Sequence, residues 1–397
     1  MRTILQINTH VSNFTSTGKQ VLGLHDFYLK NNLNSIICYS NTDDCSNIKG
    51  AFCFGNKLDK YMSALLTRVF GNRYGHALFS TSKLLRYIKT IRPDIVHIHC
   101  INAYDVNIKK LFKFLGKKNI PVIITEHAEF FHTGNCSHTY DCGKYKKICD
   151  NCPNVFFATK SYLNKNTKRN QKRMKNSLDF VNNKKIVCVS PWLANKANES
   201  FILNGNIAEN IPNGIDTEIF KYNNIEKKKQ FIFVSSDPKT SNKGLHYLLE
   251  IAKKIPSYTF KVVGIVREQI INKEALKNVE FIGRVSDQKR LAELYSESTA
   301  TLVLSKVETF GMAVAESLCC GTPVYGFLSG GPETIAIQKY STFVDYGNTD
   351  ELIAELRAIN NNIRPTTISS EAQQFFSFEK IGNKYLQLIN QLLRNKK

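Results

Sequence analysis

Short apolar runs alternate with amphipathic segments along nearly the whole chain. In the first half, the runs predicted to be strands are TILQI, SIICYS, PDIVHIH (residues 93–99), VIITEH and IVCVS. After Pro212 they are FIFVSS, FKVVG, VEFIG, ATLVL and TPVYGF. Helices are predicted between them, near residues 19–30, 243–254, 288–297, 311–319 and 349–359. Such alternation indicates βαβ units and parallel sheets.

The alternation occurs as two series of about 180 residues each, which predicts an α/β protein with two doubly wound, Rossmann-like domains. Pro, Asn and Gly cluster in IPNGID (211–216), so the boundary is expected there. The predicted domains are residues 1–212, with a Cys-rich insertion at 134–153, and residues 213–376. Residues 377–397 are predicted to form a C-terminal helix, with apolar positions at Ile381, Tyr385, Leu386, Ile389 and Leu392.

The length and apolar content fit a globular protein with more than one core. The chain has 397 residues, of which 42% are hydrophobic. Its apolar runs are shorter than the roughly 18 residues that a membrane span needs. The N-terminus, MRTILQINTHVSNF, has no continuous apolar stretch and reads as a strand rather than a signal peptide. These features predict a cytoplasmic protein.

Positive charge is in large excess, with 54 Lys and Arg against 33 Asp and Glu, a net charge of +21. Such an excess favours nucleic acid, anionic lipid or phosphorylated substrates as partners. The alternative is a lysine-rich composition without functional meaning, because the lysines are spread along the chain. The densest basic run, residues 165–175, is typical of a solvated helix face.

Two glutamates, Glu308 and Glu316, lie on either side of a predicted helix start. If the helix begins near Gly311, the backbone N–H groups of Phe310, Gly311 and Met312 point out of its N-terminus. A helix N-terminus suits phosphate, and glycine allows a ligand to approach the backbone closely. The two carboxylates would accept hydrogen bonds from hydroxyl groups. A nucleotide sugar offers ribose hydroxyls, a diphosphate and sugar hydroxyls in that order.

The segment from Glu308 to Glu316 resembles the E-x7-E motif of retaining GT-B glycosyltransferases of family 4. Other segments resemble the same family in the same order. They are RPDIVHIHCINAY, VIITEHAEFFHTGNCSH, VSPWL, IPNGIDTEIF, FIGRVSDQKRLAELYSES, the stretch LVLSKVETFGMAVAESLCCGTPVYGF, and GGPETI. The combination is similar to transferases of colanic-acid, O-antigen and exopolysaccharide biosynthesis. The resemblance implies a GT-B fold, with two Rossmann-like domains facing a cleft and a C-terminal helix that packs back on the N-terminal domain.

The resemblance also implies roles for particular residues. A group acting in catalysis would comprise His127, Glu308 and Lys243. The donor would be bound by Glu316, Phe310, Gly311, Met312 and Lys239. Gly18 and His99 would lie on the acceptor side. Lys243 would neutralise the charge of the leaving diphosphate, which is what such a site must stabilise.

Two positions depart from the family pattern. Where the family has an arginine after the first strand of the C-terminal domain, this chain has Ser235 and Ser236, and Lys239 could take the arginine's place. The N-terminal loop NFTSTGKQ offers Gly18 alone, where the family has two or more glycines. The chain also has no D-x-D pair, so no catalytic metal is expected.

Four cysteines are closely spaced as C-x5-C-x6-C-x2-C: Cys136, Cys142, Cys149 and Cys152. In a reducing compartment this spacing favours a tetrahedral structural zinc site. Free thiols, disulfides and an iron–sulfur cluster remain alternatives. A metal would explain how a polar, lysine-rich loop stays ordered.

The function favoured by these features is transfer of a sugar from a nucleotide-sugar donor, with retention, to a lipid-linked saccharide in bacterial surface polysaccharide synthesis. The alternative is a basic protein that binds nucleic acid or phosphate without transferring a sugar. The chain lacks the interleaved aromatic and basic residues of single-strand binders, so nucleic acid is not an expected partner. A hydrolase is disfavoured because its two carboxylates must flank one bond.

The stretch KLDKYMSALLTRVFGNRYG (57–75) has apolar residues at helical spacing, flanked by Lys57, Lys60, Arg68 and Arg73. One interpretation is a helix that lies on the anionic cytoplasmic face of the inner membrane. The other is an ordinary helix that faces the core. The sequence of this helix alone does not distinguish the two interpretations. Because the whole chain has a net charge of +21, we favour peripheral membrane binding.

Overall fold

The computed structural model describes residues 1–41, 48–153, 155–163, 166–205, 207–235, 241–265, 276–359 and 363–395. The chain forms two compact units. Unit 1 comprises Met1–Ile211 together with Gly382–Lys397, and unit 2 comprises Pro212–Ile381.

Unit 1 is built on a sheet with seven strands in the described residues. They are β1 (Thr3–Asn8), β2 (Asn34–Tyr39), β3 (Ala51–Cys53), β4 (Ile95–Ile98), β5 (Val122–Glu126), β6 (Lys184–Cys188) and β7 (Ala208–Asn210). Their order is β3-β2-β1-β4-β5-β6-β7, and every neighbouring pair is parallel. The central strands β4 and β5 are buried along their whole length, as expected of a parallel sheet covered on both faces.

Helices connect these strands. They are α1 (Ser16–Lys30), α2 (Lys57–Phe70), α3 (Leu78–Ile91), α4 (Ile108–Lys117), α5 (Phe130–Thr133), α6 (Val155–Thr159), α7 (Thr167–Leu178) and α8 (Pro191–Asn198). Most of the longer ones begin with a side-chain cap of the expected type. Thr15 caps α1, Asn107 caps α4 and Ser190 caps α8.

Unit 2 repeats the architecture with a six-stranded parallel sheet, again counting only the residues described. Its strands are β8 (Lys228–Val234), β9 (Thr259–Val263), β10 (Val279–Gly283), β11 (Ser298–Val303), β12 (Val324–Phe327) and β13 (Ser341–Val344). Their order is β10-β9-β8-β11-β12-β13. The helices are α9 (Leu245–Lys254), α10 (Gln288–Ser296), α11 (Met312–Cys319), α12 (Gly331–Ile335), α13 (Thr349–Arg357) and α14 (Pro365–Phe376).

A final helix, α15 (Phe378–Arg394), follows α14. From Gly382 onward it belongs to unit 1. Its Tyr385 side chain is buried there, with its hydroxyl 2.9 Å from the Thr125 hydroxyl at the end of β5. Gly382 faces the Phe27 ring, and an added Cβ would lie 2.3 Å from that ring.

The predicted α/β fold with two Rossmann-like parallel sheets is confirmed. Each run predicted to be a strand overlaps an observed one. The short strands β3, β7 and β13 were not predicted; each lies toward or at an edge of its sheet. Among the described residues, none of the helices combines the length and apolarity needed to cross a bilayer.

Gly244 provides a test of the packing beneath Lys243. Its φ of 82° is left-handed, and an added Cβ would lie 2.2 Å from the Leu304 carbonyl oxygen. We expect Gly244→Ala to destabilise the protein by about 1–3 kcal/mol through backbone strain, plus the steric clash. Gly283 has nearly the same φ, 79°, but open space around the added atom. Gly283→Ala should therefore show the strain without the clash. Urea denaturation followed by circular dichroism measures both, and equal losses would contradict the packing argument.

Candidate functional site

In unit 2 the candidate site forms where the order of strands reverses. The chain runs outward from β8 through β9 to β10, then returns to the other side of β8 with β11. Open α/β sheets bind ligands at such a reversal, outside the carboxyl ends of the two strands that flank it. Lys243 follows β8, and Glu308 follows β11.

The structure brings Lys243 and Glu308 into an ion pair between Nζ and Oε1. Ser305 Oγ donates to the same carboxylate oxygen at 3.1 Å. The two side chains are 28% and 26% exposed, so the pair is open to solvent. The loops are also joined through their backbones, because the Lys306 N–H donates to the Asn242 carbonyl at 2.8 Å.

The Glu308 loop runs beside a second glycine-rich loop, which follows β12. The Glu308 N–H donates to the Ser329 carbonyl at 3.0 Å, and the Gly331 N–H donates to the Glu308 carbonyl at 2.8 Å. The approach is so close that a Cβ on Gly331 would lie 2.4 Å from the Thr309 backbone. Glu333 fixes this second loop, since its carboxylate accepts the N–H groups of Ser329 and Gly330 at 3.0 and 2.7 Å.

Helix α11 begins where the sequence predicts. Gly311 is its N-cap, with φ 86°, and Met312 is its first residue. The Phe310 side chain points inward and is buried, with its ring edge-on to the Phe376 ring. Asn213 Nδ2 lies 3.8 Å from the Met312 sulfur. The Phe310 ring thus anchors the loop that leads into α11.

Glu316 occupies the second turn of α11 and is only 4% exposed. The Tyr295 hydroxyl, on α10, donates to its Oε2 at 3.2 Å. Burial and the neighbouring Glu316 carboxylate raise the pKa of Tyr295, so the hydroxyl stays protonated and remains a donor. Lys239 and Ser236 lie outside the described residues.

In unit 1 three histidines gather at the carboxyl ends of β4 and β5. His99 Nδ1 lies 3.2 Å from His127 Nε2, and its other ring nitrogen lies 3.2 Å from Gln6 Oε1 on β1. His97 contacts the Thr125 hydroxyl at 2.8 Å. The strand order again reverses here, between β1 and β4. The structure thus brings together His99 and His127, two of the predicted site residues.

Burial keeps these imidazoles neutral. It lowers the pKa of His127 to about 4, and burial with the His127 charge lowers the pKa of His97 to about 3. The pKa of His99 is also well below its ordinary value, from burial and the two neighbouring rings. At neutral pH each ring therefore has one N–H donor and one acceptor nitrogen.

Behind His127 lies a buried polar cluster that was not predicted from the sequence. His132 Nδ1 lies 2.6 Å from Glu126 Oε2. Lys196 Nζ, from α8, lies 2.8 Å from Glu129 Oε2, which also accepts the Thr139 hydroxyl at 2.5 Å. The two glutamates and the histidine are fully buried. The sequence does contain a signal for this cluster, because Glu126, Glu129 and His132 follow one another at intervals of three residues in EHAEFFH.

Gly18 lies in the first turn of α1, where the Thr15 hydroxyl accepts its N–H at 3.2 Å. An added Cβ would lie 2.2 Å from the Ser12 carbonyl oxygen. Gly18 therefore allows the loop after β1 to fold tightly onto the helix start. The structure shows this packing role and places Gly18 in the same unit as the histidines.

The four clustered cysteines lie near one another without forming a metal site. Cys142, Cys149 and Cys152 help burial to raise the pKa of the Cys136 thiol, to about 12. Yet no group of three or more His, Cys, Asp or Glu in the described residues is arranged to hold a metal ion. The sequence favours a zinc site formed by these four thiols. The structure of the described residues does not show the four thiols arranged in this way.

Helix α2 turns its apolar side to solvent. Its buried residues are small or polar: Asp59, Ser63, Ala64 and Thr67. Asp59 explains this orientation, because its carboxylate accepts the Ser80 N–H of α3 at 2.7 Å. The apolar residues exposed along α2 are Leu58, Tyr61, Met62, Leu65 and Phe70. Arg73, predicted to flank this stripe, is instead buried and donates to the Asn135 carbonyl.

A second exposed apolar segment adjoins the end of α2. The Arg68 carbonyl accepts the Ser161 hydroxyl at 2.8 Å and the Tyr162 N–H at 3.3 Å. We call the combined region the apolar surface. Its members are Leu58, Tyr61, Met62, Leu65, Phe70, Leu78, Phe79, Phe156, Phe157, Tyr162 and Leu163.

Comparison with known families accounts for most of the chain. Residues 58–219 match the profile of Glycosyltransferase Family 4, and residues 214–375 match that of Glycosyl transferases group 1. The matches meet near the boundary between the two units, and the second contains the whole Glu308–Glu316 segment.

Individual relatives are similar in sequence to parts of this chain. An uncharacterized glycosyltransferase from Methanocaldococcus jannaschii is 30% identical over 211 residues, which cover 50% of this chain and 57% of that protein. An uncharacterized 41.2 kDa protein in the cps region of Klebsiella pneumoniae is 26% identical, over 71% of this chain and 75% of its own length. The chain thus spans just over half of the first relative and three quarters of the second.

Among solved structures, Anabaena HepE in complex with UDP and glucose superposes with a TM-score of 0.68. The superposition covers 98% of this chain and all of that one, at 14% sequence identity. The likeness is therefore one of fold. The chain therefore has the two-sheet GT-B fold, with residues 58–219 similar to Glycosyltransferase Family 4 and residues 214–375 similar to Glycosyl transferases group 1.

Proposed function

We propose that the protein is a retaining glycosyltransferase that takes its sugar from a nucleotide-sugar donor. The observation that carries this proposal is the Lys243–Glu308 pair at the strand reversal of unit 2, beside the glycine-capped start of α11. The pair sets a cation for a diphosphate next to an acceptor for hydroxyl groups. The superposed HepE, crystallised with UDP and glucose, supports a donor of this class.

In this proposal each donor-side residue has a distinct task. Lys243 neutralises the charge that develops on the leaving diphosphate, and such stabilisation is usually the largest single catalytic contribution. Glu308 accepts hydrogen bonds from the hydroxyls of the transferred sugar. Backbone N–H groups at Gly311 and Met312 bind phosphate or sugar oxygens, and Glu316 binds the ribose. Lys239 is proposed as a second phosphate contact.

On the acceptor side we propose that His127 lies next to the reacting sugar carbon. As a neutral imidazole, it can donate or accept a hydrogen bond without bringing a charge. His99 orients the His127 ring through their 3.2 Å contact. Gly18 permits the acceptor to approach the loop after β1. The acceptor itself is proposed to be a lipid-linked saccharide of surface polysaccharide synthesis. The relative encoded in the cps region of Klebsiella pneumoniae supports this assignment.

We expect Lys243→Met, Glu308→Gln and Glu316→Gln each to reduce sugar transfer by about 100- to 1,000-fold, the usual effect of removing one transition-state contact. The donors tested are radiolabelled nucleotide sugars, with lipid-linked acceptors. Product anomers resolved by NMR report retention. Lys253, exposed on α9, provides the matched control, and Lys253→Met should leave transfer unchanged.

Circular dichroism separates a lost site from a lost fold. If the folded Glu316→Gln variant turned over donor at the normal rate, the donor assignment would be wrong. Inversion of the anomeric configuration would contradict the retaining mechanism while leaving transfer itself in place.

We further propose that no catalytic metal takes part and that the four clustered cysteines hold one structural zinc. The zinc site is supported by the proximity of the four thiols to one another, since thiolates are the preferred ligands of structural zinc.

Elemental analysis of untagged protein should therefore find one zinc per chain, lost in Cys149→Ser but kept in Cys53→Ser, a half-buried cysteine outside the cluster. Transfer should persist in EDTA while zinc is retained. Zinc-free protein with four freely titrating thiols would contradict the structural site. Rescue of stripped, folded protein by Mg²⁺ alone would contradict metal independence.

We propose that unit 1 docks on the anionic cytoplasmic face of the inner membrane through the apolar surface. Its large exposed side chains have basic neighbours, among them Lys57, Arg68 and Lys160, which complement an anionic surface. Exposed apolar areas of this kind mark interaction sites. Each basic residue near an anionic bilayer contributes about 1 kcal/mol.

The double variant Leu58→Glu/Leu65→Glu should abolish co-sedimentation with vesicles that contain anionic lipid, because it inserts two negative charges into the docking face. Phe375→Glu, at an exposed phenylalanine on α14, is the control and should sediment like the wild type. Binding should weaken as salt rises. Equal and negligible binding of the wild type to neutral and anionic vesicles at low salt would contradict the proposal.

A further inference from the structure

Three helices of unit 1 carry a concentration of positive charge that none of the roles above uses. Helices α3, α4 and α7 have 14, 10 and 12 residues, and together they contain 12 Lys and Arg but no Asp or Glu. One residue in three is therefore basic, against 54 of 397 in the whole chain. The lysine-rich composition of the chain does not account for this concentration. We call the Lys and Arg side chains of these three helices the basic face.

The three helices are neighbours, with α4 between α3 and α7. Lys110 Nζ on α4 donates to the Ser82 hydroxyl on α3 at 2.8 Å. On the other side of α4, a Cβ on Gly116 would lie 1.9 Å from the Phe180 carbonyl oxygen, just past the end of α7. Each helix buries the side opposite its basic residues. The basic side chains therefore form three adjacent rows on one surface of unit 1.

Most charges of the basic face are exposed and uncompensated. Arg173 and Lys175 are half-buried, and the other ten basic side chains are exposed. Lys168 pairs with Asp150 and Lys175 pairs with Asp179, both carboxylates outside the three helices. The remaining ten form no ion pair with a carboxylate of the described residues. Like charges three or four positions apart on a helix repel one another, so this arrangement costs stability.

Helices of unit 2 show the ordinary mixture of charges. On α9 Lys254 pairs with Glu250, and on α10 Arg290 pairs with Glu293. Helix α13 has acidic residues in its first turn and Arg357 in its last. The single sign of charge is thus a local property of the basic face, and an anionic partner would relieve its self-repulsion.

The arrangement of the charges indicates a flat partner. Three adjacent rows spread the charge in two dimensions, whereas a linear polyanion would follow one row. Nine of the twelve residues are lysines, whose flexible ammonium groups can follow anions that move in a plane. No large apolar side chain is exposed on α4 or α7, both of which the structure describes in full. These helices are therefore suited to contact a charged surface without entering it.

The basic face is continuous with the apolar surface along α3. Phe79, in the first turn of α3, is 75% exposed and belongs to the apolar surface. Lys83 and Arg86 follow it at intervals of four and three residues, which places the three side chains on the same side of the helix. A partner that contacts both surfaces needs an apolar part beside an anionic part. A bilayer with anionic lipids has both, whereas nucleic acid and acidic glycans are anionic but have no apolar layer.

We propose that the basic face lies on the anionic headgroups of the same bilayer that the apolar surface enters. This step rests on the membrane docking proposed above and adds a second, electrostatic contact to it. It places α3, α4 and α7 between the sheet of unit 1 and the membrane. The two contacts differ in their response to salt, because attraction to anionic headgroups is screened and burial of apolar side chains is not.

Co-sedimentation with vesicles of phosphatidylcholine and phosphatidylglycerol tests the proposal. The variant Lys109→Gln/Lys113→Gln/Lys117→Gln removes three exposed charges from the row on α4. A basic residue near an anionic bilayer strengthens binding by about fivefold, so we expect this variant to bind about 100-fold more weakly at low salt. The difference from the wild type should vanish at high salt.

The matched control is Lys253→Gln/Lys277→Gln/Lys289→Gln, which removes the same charge from exposed lysines of unit 2. It should bind within about twofold of the wild type, because its lysines lie outside the basic face. Equal losses in the two triple variants would show that net charge alone decides binding, and would overturn the proposal.

Three further outcomes separate this contact from the other proposals. If Leu58→Glu/Leu65→Glu abolished sedimentation while the α4 variant bound like the wild type, the apolar docking would stand and the role of the basic face would be rejected. Dextran sulfate is a soluble linear polyanion, and if it bound more tightly than vesicles at equal charge and depended on the same lysines, the bilayer would be the wrong partner. Vesicle binding that depends on the α4 lysines, in a protein that transfers no sugar, would support the contact and reject the transferase function.

Discussion

The reversal of strand order at the middle of each parallel sheet is the constraint on which the candidate site depends. At this point two neighbouring strands send their loops in opposite directions, so their carboxyl ends cannot be covered by a shared connection. In unit 2 the reversal brings Lys243 from one loop to Glu308 from the other. In unit 1 it brings Gln6 on β1 within 3.2 Å of His99 at the end of β4.

The Lys243–Glu308 pair is poorly explained as a device for stability. Both side chains are about one quarter exposed, and pairs in such settings contribute about 0–1 kcal/mol. The surrounding backbone, by contrast, is tightly specified. Glycines at positions 244, 311 and 331 lie where a Cβ would clash or the backbone is left-handed. The constrained backbone thus positions two charged groups that remain open to solvent. A hydrophobic core would bury such constrained positions, whereas a ligand site leaves its charged groups accessible.

Much of the fold could be predicted because buried parallel strands are apolar along their whole length. The strands that were not predicted are short and lie at or near the edges of the sheets. One of them, β7, has the sequence AEN and therefore contains no apolar run. The Glu308–Glu316 frame was predictable because the helix start is encoded locally by Gly311. The cluster of Glu129, His132 and Lys196 was not, since Lys196 comes from a helix more than sixty positions along the chain.

The orientation of α2 shows a different limit. Its apolar spacing predicts a helix but does not say which side faces the protein. A single carboxylate, Asp59, decides this through its bond to the Ser80 N–H. Likewise, cysteine spacing indicates that thiols will be neighbours, and the structure agrees. Spacing does not determine whether they converge on one point, because that depends on loop backbone conformation.

The discontinuity of unit 1 has a consequence for how the protein is made. Tyr385 fills a buried position beside Thr125 and His97, with its ring centroid 4.9 Å from that of His97, yet it is synthesised only after the whole of unit 2. Domains generally fold in order as they emerge from the ribosome. Unit 1 is therefore started before unit 2 but completed after it. Its core stays open at the carboxyl ends of β4 and β5 until all of unit 2 has been translated. A chain that stopped before Gly382 would leave the place of the Tyr385 ring beside His97 unfilled.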